Sequence, residues 1–475
     1  MNGRSPRQIA LVTALGAGLV VASGLSAFFF LSASRSSPGA HRPVPGEKPS
    51  IVLILTDDQR VGTLWAMPNV SHKLIDRGIW FVNGFVDDPL CCPSRSSILT
   101  GNYVHRTGVW SNRTPFGGFP KFHDRSTVAT WLHSAGYRTA LFGKYLNQYG
   151  GKYVPPGWDE WNAFSGMRHS FYYNYWMNVN GKLTSFGRDP SDYSTSLLAS
   201  RAASFIRTTP GPLFVYFAPY APHLPTTPAP ADEDSFRHLT PWRPPGYDEA
   251  DVSGKPAWVR RLSRLTPDTR ARIEDLRTRT YQSLQAVDRG VGQLMDALAA
   301  TGRLHNTLIV FMSDNGYSWG EHRWIEKEAP YEEDIRVPFV VRYDRLVGAP
   351  RKDHHLVVNI DVAPTFGAVA GARVPATDGR SLLPLLKSPR PPWRSHFLVE
   401  SMKNRPIPSY CEIRADRYAF IEYGTGEQEL YDLRRDPHEL DNRARDPLLR
   451  RTLVSLHADL TRLCHPPPPK FHRPP

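Results

Sequence analysis

Cysteine is scarce in this chain: four residues in 475. Two of them are adjacent, Cys91 and Cys92, in the stretch "DDPLCCPSRSSILTG". Adjacent cysteines rarely bridge each other, because the short ring forces a disulfide away from its preferred geometry, so the pair needs another explanation. The sequence has neither a zinc-finger spacing of cysteine and histidine nor an aromatic-basic RNA-binding motif. That sets nucleic acid aside as a partner although the net charge would suit it. No internal repeat runs along the chain, and the apolar stretch near its start holds no cysteine, which excludes a lipoprotein-type anchor.

What is present is the composition of a globular protein, 40% hydrophobic and 22% charged. The length allows a large core, enough for one big domain and a smaller one. Lys and Arg (58) exceed Asp and Glu (45), leaving +13, a balance that suits an anionic partner such as a sulfated or phosphorylated glycan or an acidic membrane surface. Arg4 and Arg7 precede a stretch without charge from Ile9 to Ala33, longer than the roughly 20 residues that cross a bilayer. With the positive flank inside, the remainder is expected outside the cytoplasmic membrane. The reading favours an uncleaved membrane anchor over release by cleavage near "LSASRSS". The expected organisation is a signal or anchor segment (1–34), a polar linker (35–48), a large α/β domain (49–388), a small α+β subdomain (389–464) and a proline-rich tail (465–475).

The continuous apolar run "IVLILT" (51–56) has the character of a strand buried in a parallel sheet, and "YRTALFG" (137–143), "PLFVYFA" (212–218) and "NTLIVFMS" (306–313) read the same way. Helical patterns alternate with them, including the long amphipathic stretch that ends at Gly302. This alternation predicts an α/β domain around a mainly parallel sheet. From about Arg390 the texture changes to short strands with turns, followed by one helix.

In open α/β sheets, ligands bind beyond the carboxyl ends of the strands. Here those ends carry chemistry: Asp57 and Asp58 follow the first run, Lys144 the second, His223 comes soon after the third, and Asp314 with Asn315 follow the fourth. Each alone has a plain explanation as a turn, a cap or a solvated residue; four together would converge on one rim. Asp57, Asp58, Asp314 and Asn315 offer only oxygen, which suits a hard cation, Ca2+ or Mg2+, and not zinc. A cation with Lys, His and Arg around one pocket makes an anion site. Pro93 suits the first turn of a helix that runs to Gly101, which would put the cysteine pair at a helix N-terminus, where N–H groups and the dipole favour negative charge.

The pattern Cys-x-Pro-Ser-Arg starting at Cys91 and followed by "SSILTG" resembles the signature of the type I sulfatases, in the alkaline-phosphatase-like superfamily. "LTDDQR", "GKYLNQYG", "APHLP" and "SDNGYSWGEHRWIEKEAPYEEDIRVPFVVR" appear in the family's order, and the resemblance runs from about residue 49 to 462. "GKYLNQYG", "YVPPGWDEW" and "FYYNYWMNVNG" look closest to N-acetylglucosamine-6-sulfatases and the extracellular heparan endosulfatases. The resemblance implies an alkaline-phosphatase-like α/β sandwich with a small C-terminal subdomain bearing an antiparallel sheet. It implies a sulfated sugar or glycosaminoglycan as substrate, Ca2+ (in preference to Mg2+) as cofactor, and Cα-formylglycine made from Cys91 by a formylglycine-generating enzyme. Cys92 is then the variable neighbour.

Carried over, Asp57, Asp58, Asp314, Asn315 and the modified Cys91 would hold the ion. The hydrated aldehyde at Cys91 would attack sulfur, with Arg95 fixing it, Lys144 and Lys327 neutralising the sulfate oxygens and His223 protonating the departing sugar oxygen. One departure stands out. Many members carry a histidine two residues after the lysine of "GKW", whereas this chain has Leu146, so the base of the sulfate-expelling step is unassigned, with His322 and Asn147 as auxiliary candidates. Cys411 and Cys464, in an exported chain, form either a disulfide across the small subdomain or two buried thiols. Two other functions are compatible with the same residues, a phosphonate or phosphate ester hydrolase of the superfamily and an inactive glycan-binding protein.

Overall fold

Five parallel strands make the centre of the molecule in the computed structural model, which describes residues 47–166 and 171–471. They are β1 (Ser50–Thr56), β2 (Arg138–Gly143), β3 (Glu160–Ser165), β4 (Leu213–Ala218) and β5 (Thr307–Ser313), in the order β5-β1-β4-β2-β3. The register sets Leu53 of β1 beside Tyr216 on one side and Val310 on the other. Every residue of β1, β4 and β5 is buried, as expected of strands with neighbours on both edges and helices on both faces. Further strands extend both edges to ten in all, including Phe339–Arg342, antiparallel to β5, and the hairpin Trp176–Val179 and Lys182–Ser185 beyond β3.

The longer helices that matter here are α1 (Cys91–Thr100), α2 (Val128–Ser134), α3 (Ser194–Thr208), α4 (Pro267–Ala300), α5 (Val362–Ala370) and α6 (Arg450–Leu463), with shorter ones such as Glu332–Ile335 between them. Alternate strand residues feed two separate cores, because successive side chains leave a strand on opposite faces. Ile51, Leu53 and Leu55 pack towards Ile98 of α1, Leu132 of α2 and Phe366 of α5. Val52 and Ile54 pack on the other side towards Ala202 of α3 and Val287 and Leu294 of α4.

Four antiparallel strands follow, β6 (His396–Ser401), β7 (Tyr410–Ala415), β8 (Tyr418–Tyr423) and β9 (Gln428–Asp432). One face of this small sheet shares a core with Phe85, Trp258, Tyr331 and Ile360. The other face carries Leu456 and Leu460 of α6. Cys411 of β7 and Cys464, just past α6, are joined by a disulfide with Cα atoms 6.4 Å apart.

The anchor segment expected over 1–34 and nearly all of the 35–48 linker lie outside the described residues. Among the described residues no helix is long and apolar enough to cross a membrane.

Candidate active site

The carboxyl ends of β1, β2 and β5, together with the start of α1, meet at one buried cluster. The chain leaves β1 into Asp57, with no exposed surface, and Asp58, whose φ of +63° turns its carboxyl back towards β5; aspartate tolerates this left-handed backbone better than most residues. The Asp58 N–H donates to Asp314 Oδ1 at 3.1 Å, locking the two strand ends together. Lys144 follows Gly143, whose φ is +125° and where a Cβ would fall on the Ala218 carbonyl oxygen, so only glycine permits this exit from β2.

Arg95 has no exposed surface and binds both acidic strand ends, with Nε 2.7 Å from Asp314 Oδ2 and a guanidinium nitrogen 3.6 Å from Asp57 Oδ2. Another of its nitrogens donates to the Lys144 carbonyl at 2.9 Å. The ammonium of Lys144 lies 2.5 Å from Asp57 Oδ2. That of Lys327 lies 2.5 Å from Asp58 Oδ1 and 2.8 Å from Cys91 Sγ. Lys327 sits in a loop between Glu326 and Glu328, at φ +116° and +78°, so uncommon backbone conformations on both sides present it to the cluster. Burial alone would raise Asp57 and Asp58, but Lys144 beside the first, Lys327 beside the second and His223 near both hold them below the usual carboxylate range.

Cys91 and Cys92 are the first two residues of α1, both buried and both free thiols. Cys91 Sγ faces Asp57 Oδ1 at 3.5 Å. Cys92 points away into the core shared with α2, and its N–H donates to Asn112 Oδ1 at 2.8 Å. Burial pushes the Cys91 thiol up to about 12 despite Lys144 and Lys327 nearby. The helix is fixed from below by Asp87, which accepts from Ser97 Oγ and Asn359 Nδ2, each at 2.7 Å. Asn359 and Asn112 carry no signal in the sequence.

Asn315 donates through Nδ2 to Asp58 Oδ1 at 2.7 Å, while its Oδ1 is buried and accepts no hydrogen bond among the described residues. Three carboxylates and an amide oxygen with spare lone pairs are the donor set a hard cation takes, so these residues fit the expected ion.

His223 follows β4 at the rim. Its Nδ1 lies 2.8 Å from the Leu224 carbonyl, an acceptor, so Nδ1 carries a proton and Nε2 points inward, 3.6 Å from Asp58 Oδ2. Beside His223 and Lys144 opens a cleft of about 310 Å³ lined by Asn112, Arg113, Asn147, Gln148, Phe171 and Tyr220 among others. Asn147 Oδ1 is buried there without a hydrogen-bond partner among the described residues. His322 is placed otherwise: it is buried against Tyr331 and hydrogen-bonds Glu249, with no contact to Cys91 or the aspartates.

The sulfatase family model matches residues 49–372, and a second model, N-sulphoglucosamine sulphohydrolase C-terminal, matches 320–465. The chain belongs to the sulfatase family. This sulfatase is 39% identical over 375 residues to an extracellular sulfatase SULF-1 homolog of Drosophila melanogaster, covering 75% of this chain and 33% of the fly protein. It is 36% identical over 376 residues to the human N-acetylglucosamine-6-sulfatase, covering 74% of this chain and 67% of the human one. It thus spans about a third of the fly relative's length and two thirds of the human one's. Among solved structures, one in complex with its substrate D-glucosamine-2-N,6-O-disulfate superimposes with a TM-score of 0.77 at 25% identity, over 88% of this chain and 98% of the other. The large mixed sheet and the small antiparallel one are therefore the alkaline-phosphatase-like sulfatase fold expected from the sequence.

Proposed function

We propose that this sulfatase hydrolyses sulfate monoesters on a sulfated sugar, of the 6-O-sulfated N-acetylglucosamine kind found in glycosaminoglycans, outside the cytoplasmic membrane. The observation that carries the reading is Cys91 Sγ standing 3.5 Å from Asp57 Oδ1 and 2.8 Å from the Lys327 ammonium at the mouth of parallel strands. The names of the fly and human relatives support the substrate class and the extracytoplasmic setting. Anchoring by residues 9–33, or release from the membrane, belongs to the same reading.

Asp57, Asp58, Asp314 and Asn315 would hold Ca2+, with Mg2+ the second choice, and the modified Cys91 would complete the set. The ion would supply positive charge to sulfate oxygens and lower the pKa of an oxygen nucleophile. Formylglycine, made from Cys91 by a formylglycine-generating enzyme, would supply that oxygen when hydrated. Arg95, clamped between Asp57 and Asp314, orients the Cys91 end of α1 and keeps a fixed positive charge beneath it. Lys144, held by Asp57, and Lys327, held by Asp58, both act on Cys91 and would bind the non-bridging sulfate oxygens, whose charge they would neutralise without reorganising. His223, with Nδ1 tied to the Leu224 carbonyl, presents Nε2 to the departing sugar oxygen and, when protonated, donates to it. The cleft lined by Arg113, Asn147 and Tyr220 would take the sugar, with Asn147 Oδ1 free to accept from a hydroxyl.

The test is release of inorganic sulfate from N-acetylglucosamine-6-sulfate, compared with phosphate release from the matched phosphate ester. Sulfate release that vanishes in Cys91→Ala is expected. Preferential phosphate or phosphonate hydrolysis, or binding of sulfated glycan with no turnover by fully modified protein, would replace the reading.

A further inference from the structure

A second cluster of ligating groups lies outside the machinery described above. His322 Nδ1 is 2.7 Å from Glu249 Oε2, so the ring donates there and Nε2 keeps its lone pair. His322 Nε2, Glu333 Oε2 and Glu439 Oε1 are all buried with no hydrogen-bond partner among the described residues. His322 and Glu439 are each only 1% exposed. One ligand atom from each of His322, Glu333 and Glu439 lies within 4.8 Å of the other two, and Nε2 stands 3.9 Å from Glu333 Oε2.

Burying three acceptors that face one another with no donor between them is costly, and one cation satisfies all three together. A carboxylate behind the far ring nitrogen, as Glu249 is here, is the arrangement that orients a metal-ligating imidazole. Tetrahedral zinc with bonds near 2.1 Å sets its ligand atoms about 3.4 Å apart, close to the separation of His322 Nε2 and Glu333 Oε2. Imidazole with two carboxylates suits a borderline transition ion, unlike the oxygen-only set at Asp57, Asp58, Asp314 and Asn315.

We propose that His322, Glu333 and Glu439 form a second metal site, taking one zinc-class divalent ion, with Glu249 as the positioning carboxylate. The three ligands come from the loop upstream of Lys327, from the short helix Glu332–Ile335 and from the segment after β9. The ion therefore pins the small subdomain to the segment that presents Lys327. Cations near it include Lys255, whose ammonium lies 3.9 Å from Glu249 Oε2 and donates to Tyr431 at 2.9 Å and to the Glu439 carbonyl, and Arg60, whose charge acts on Glu333.

The test is zinc binding by the full chain with calcium in excess, read by metal content and by anomalous scattering at the zinc edge from wild-type crystals. One zinc per chain is expected, with an anomalous peak between His322, Glu333 and Glu439. Glu249→Gln is expected to weaken zinc binding about 10- to 100-fold, and Glu439→Gln at least as much. Folded wild-type protein without that peak at saturating zinc overturns the proposal, as does equal zinc affinity in wild type and Glu439→Gln. Should a variant fail to fold, the wild-type crystal decides alone.

Discussion

Arg95 carries the electrostatics of the cluster at the scale of single residues. It is fully buried between Asp57 and Asp314, and removing one partner of such a group leaves charges uncompensated. Arg95→Ala is expected to cost about 3–5 kcal/mol in chemical denaturation and to abolish turnover. Arg95→Lys restores the charge but not the fork that spans both carboxylates, so its activity stays low. Lys327 differs, since it meets the cluster only through its ammonium. Lys327→Ala is expected to keep the fold and lower kcat by about a hundred- to a thousand-fold, as loss of one preorganised charge does elsewhere; a wild-type kcat would remove it from the site. Asp87 gives a pH signature. Burial pushes it up to about 7 although Ser97 and Asn359 bind its ionised form. The folded protein then keeps a proton that the unfolded chain loses near pH 4, so this contribution is complete below that pH and is lost as the pH rises towards 7. Stability should fall over that window by up to about 1.4 kcal/mol per pH unit from this group, and Asp87→Asn should flatten the slope even if it lowers stability overall. Asp57, Asp58, Lys144, Asp314 and Asn315 were legible because each directly follows an apolar strand. Lys327 was legible only through resemblance, because it stands in an irregular loop between two residues of positive φ. Asn112, Asn359 and Arg113 left no trace in the sequence, since an isolated polar side chain has no period or spacing to reveal it.

Helix α1 is the element that places Cys91, the proposed reactive position. It begins at Cys91 and stops at Gly101, whose φ of +71° closes the last turn. A side chain there would meet the left-handed penalty and also press on Pro364 and Thr377, whose atoms lie 3.0 and 3.1 Å from the place of its Cβ. Gly101→Val is expected to cost more than about 1 kcal/mol and to lower activity by shifting the helix, with thermal unfolding and kcat measured together; an unchanged melting temperature would show that the cap is dispensable. The start and stop of this helix were readable from Pro93 and Gly101. So were β1, β2, β4 and β5, because strands buried on both faces need mostly apolar runs, and the polar residues of β2 (Arg138 and Thr139) stand at its start. β3 was not, because "EWNAFS" mixes polar with apolar residues. Its Asn162 is buried and receives a hydrogen bond from Arg201 of α3, a tertiary contact that local pattern cannot announce.

The described residues join a large mixed sheet, parallel at its centre and cored on both faces, to a small sheet that shares a core with Tyr331. The architecture keeps strand ends and α1 in fixed register, while the chemistry proposed above depends on one covalent change at Cys91 that no packing argument can produce. That change is the central claim, and the most direct measurement is the mass of the tryptic peptide spanning 78–95, from the intact chain purified from its own host. The account predicts a loss of about 18 Da, thiol to aldehyde, at Cys91 with Cys92 unchanged. Folded protein that releases sulfate while both cysteines remain thiols would contradict it.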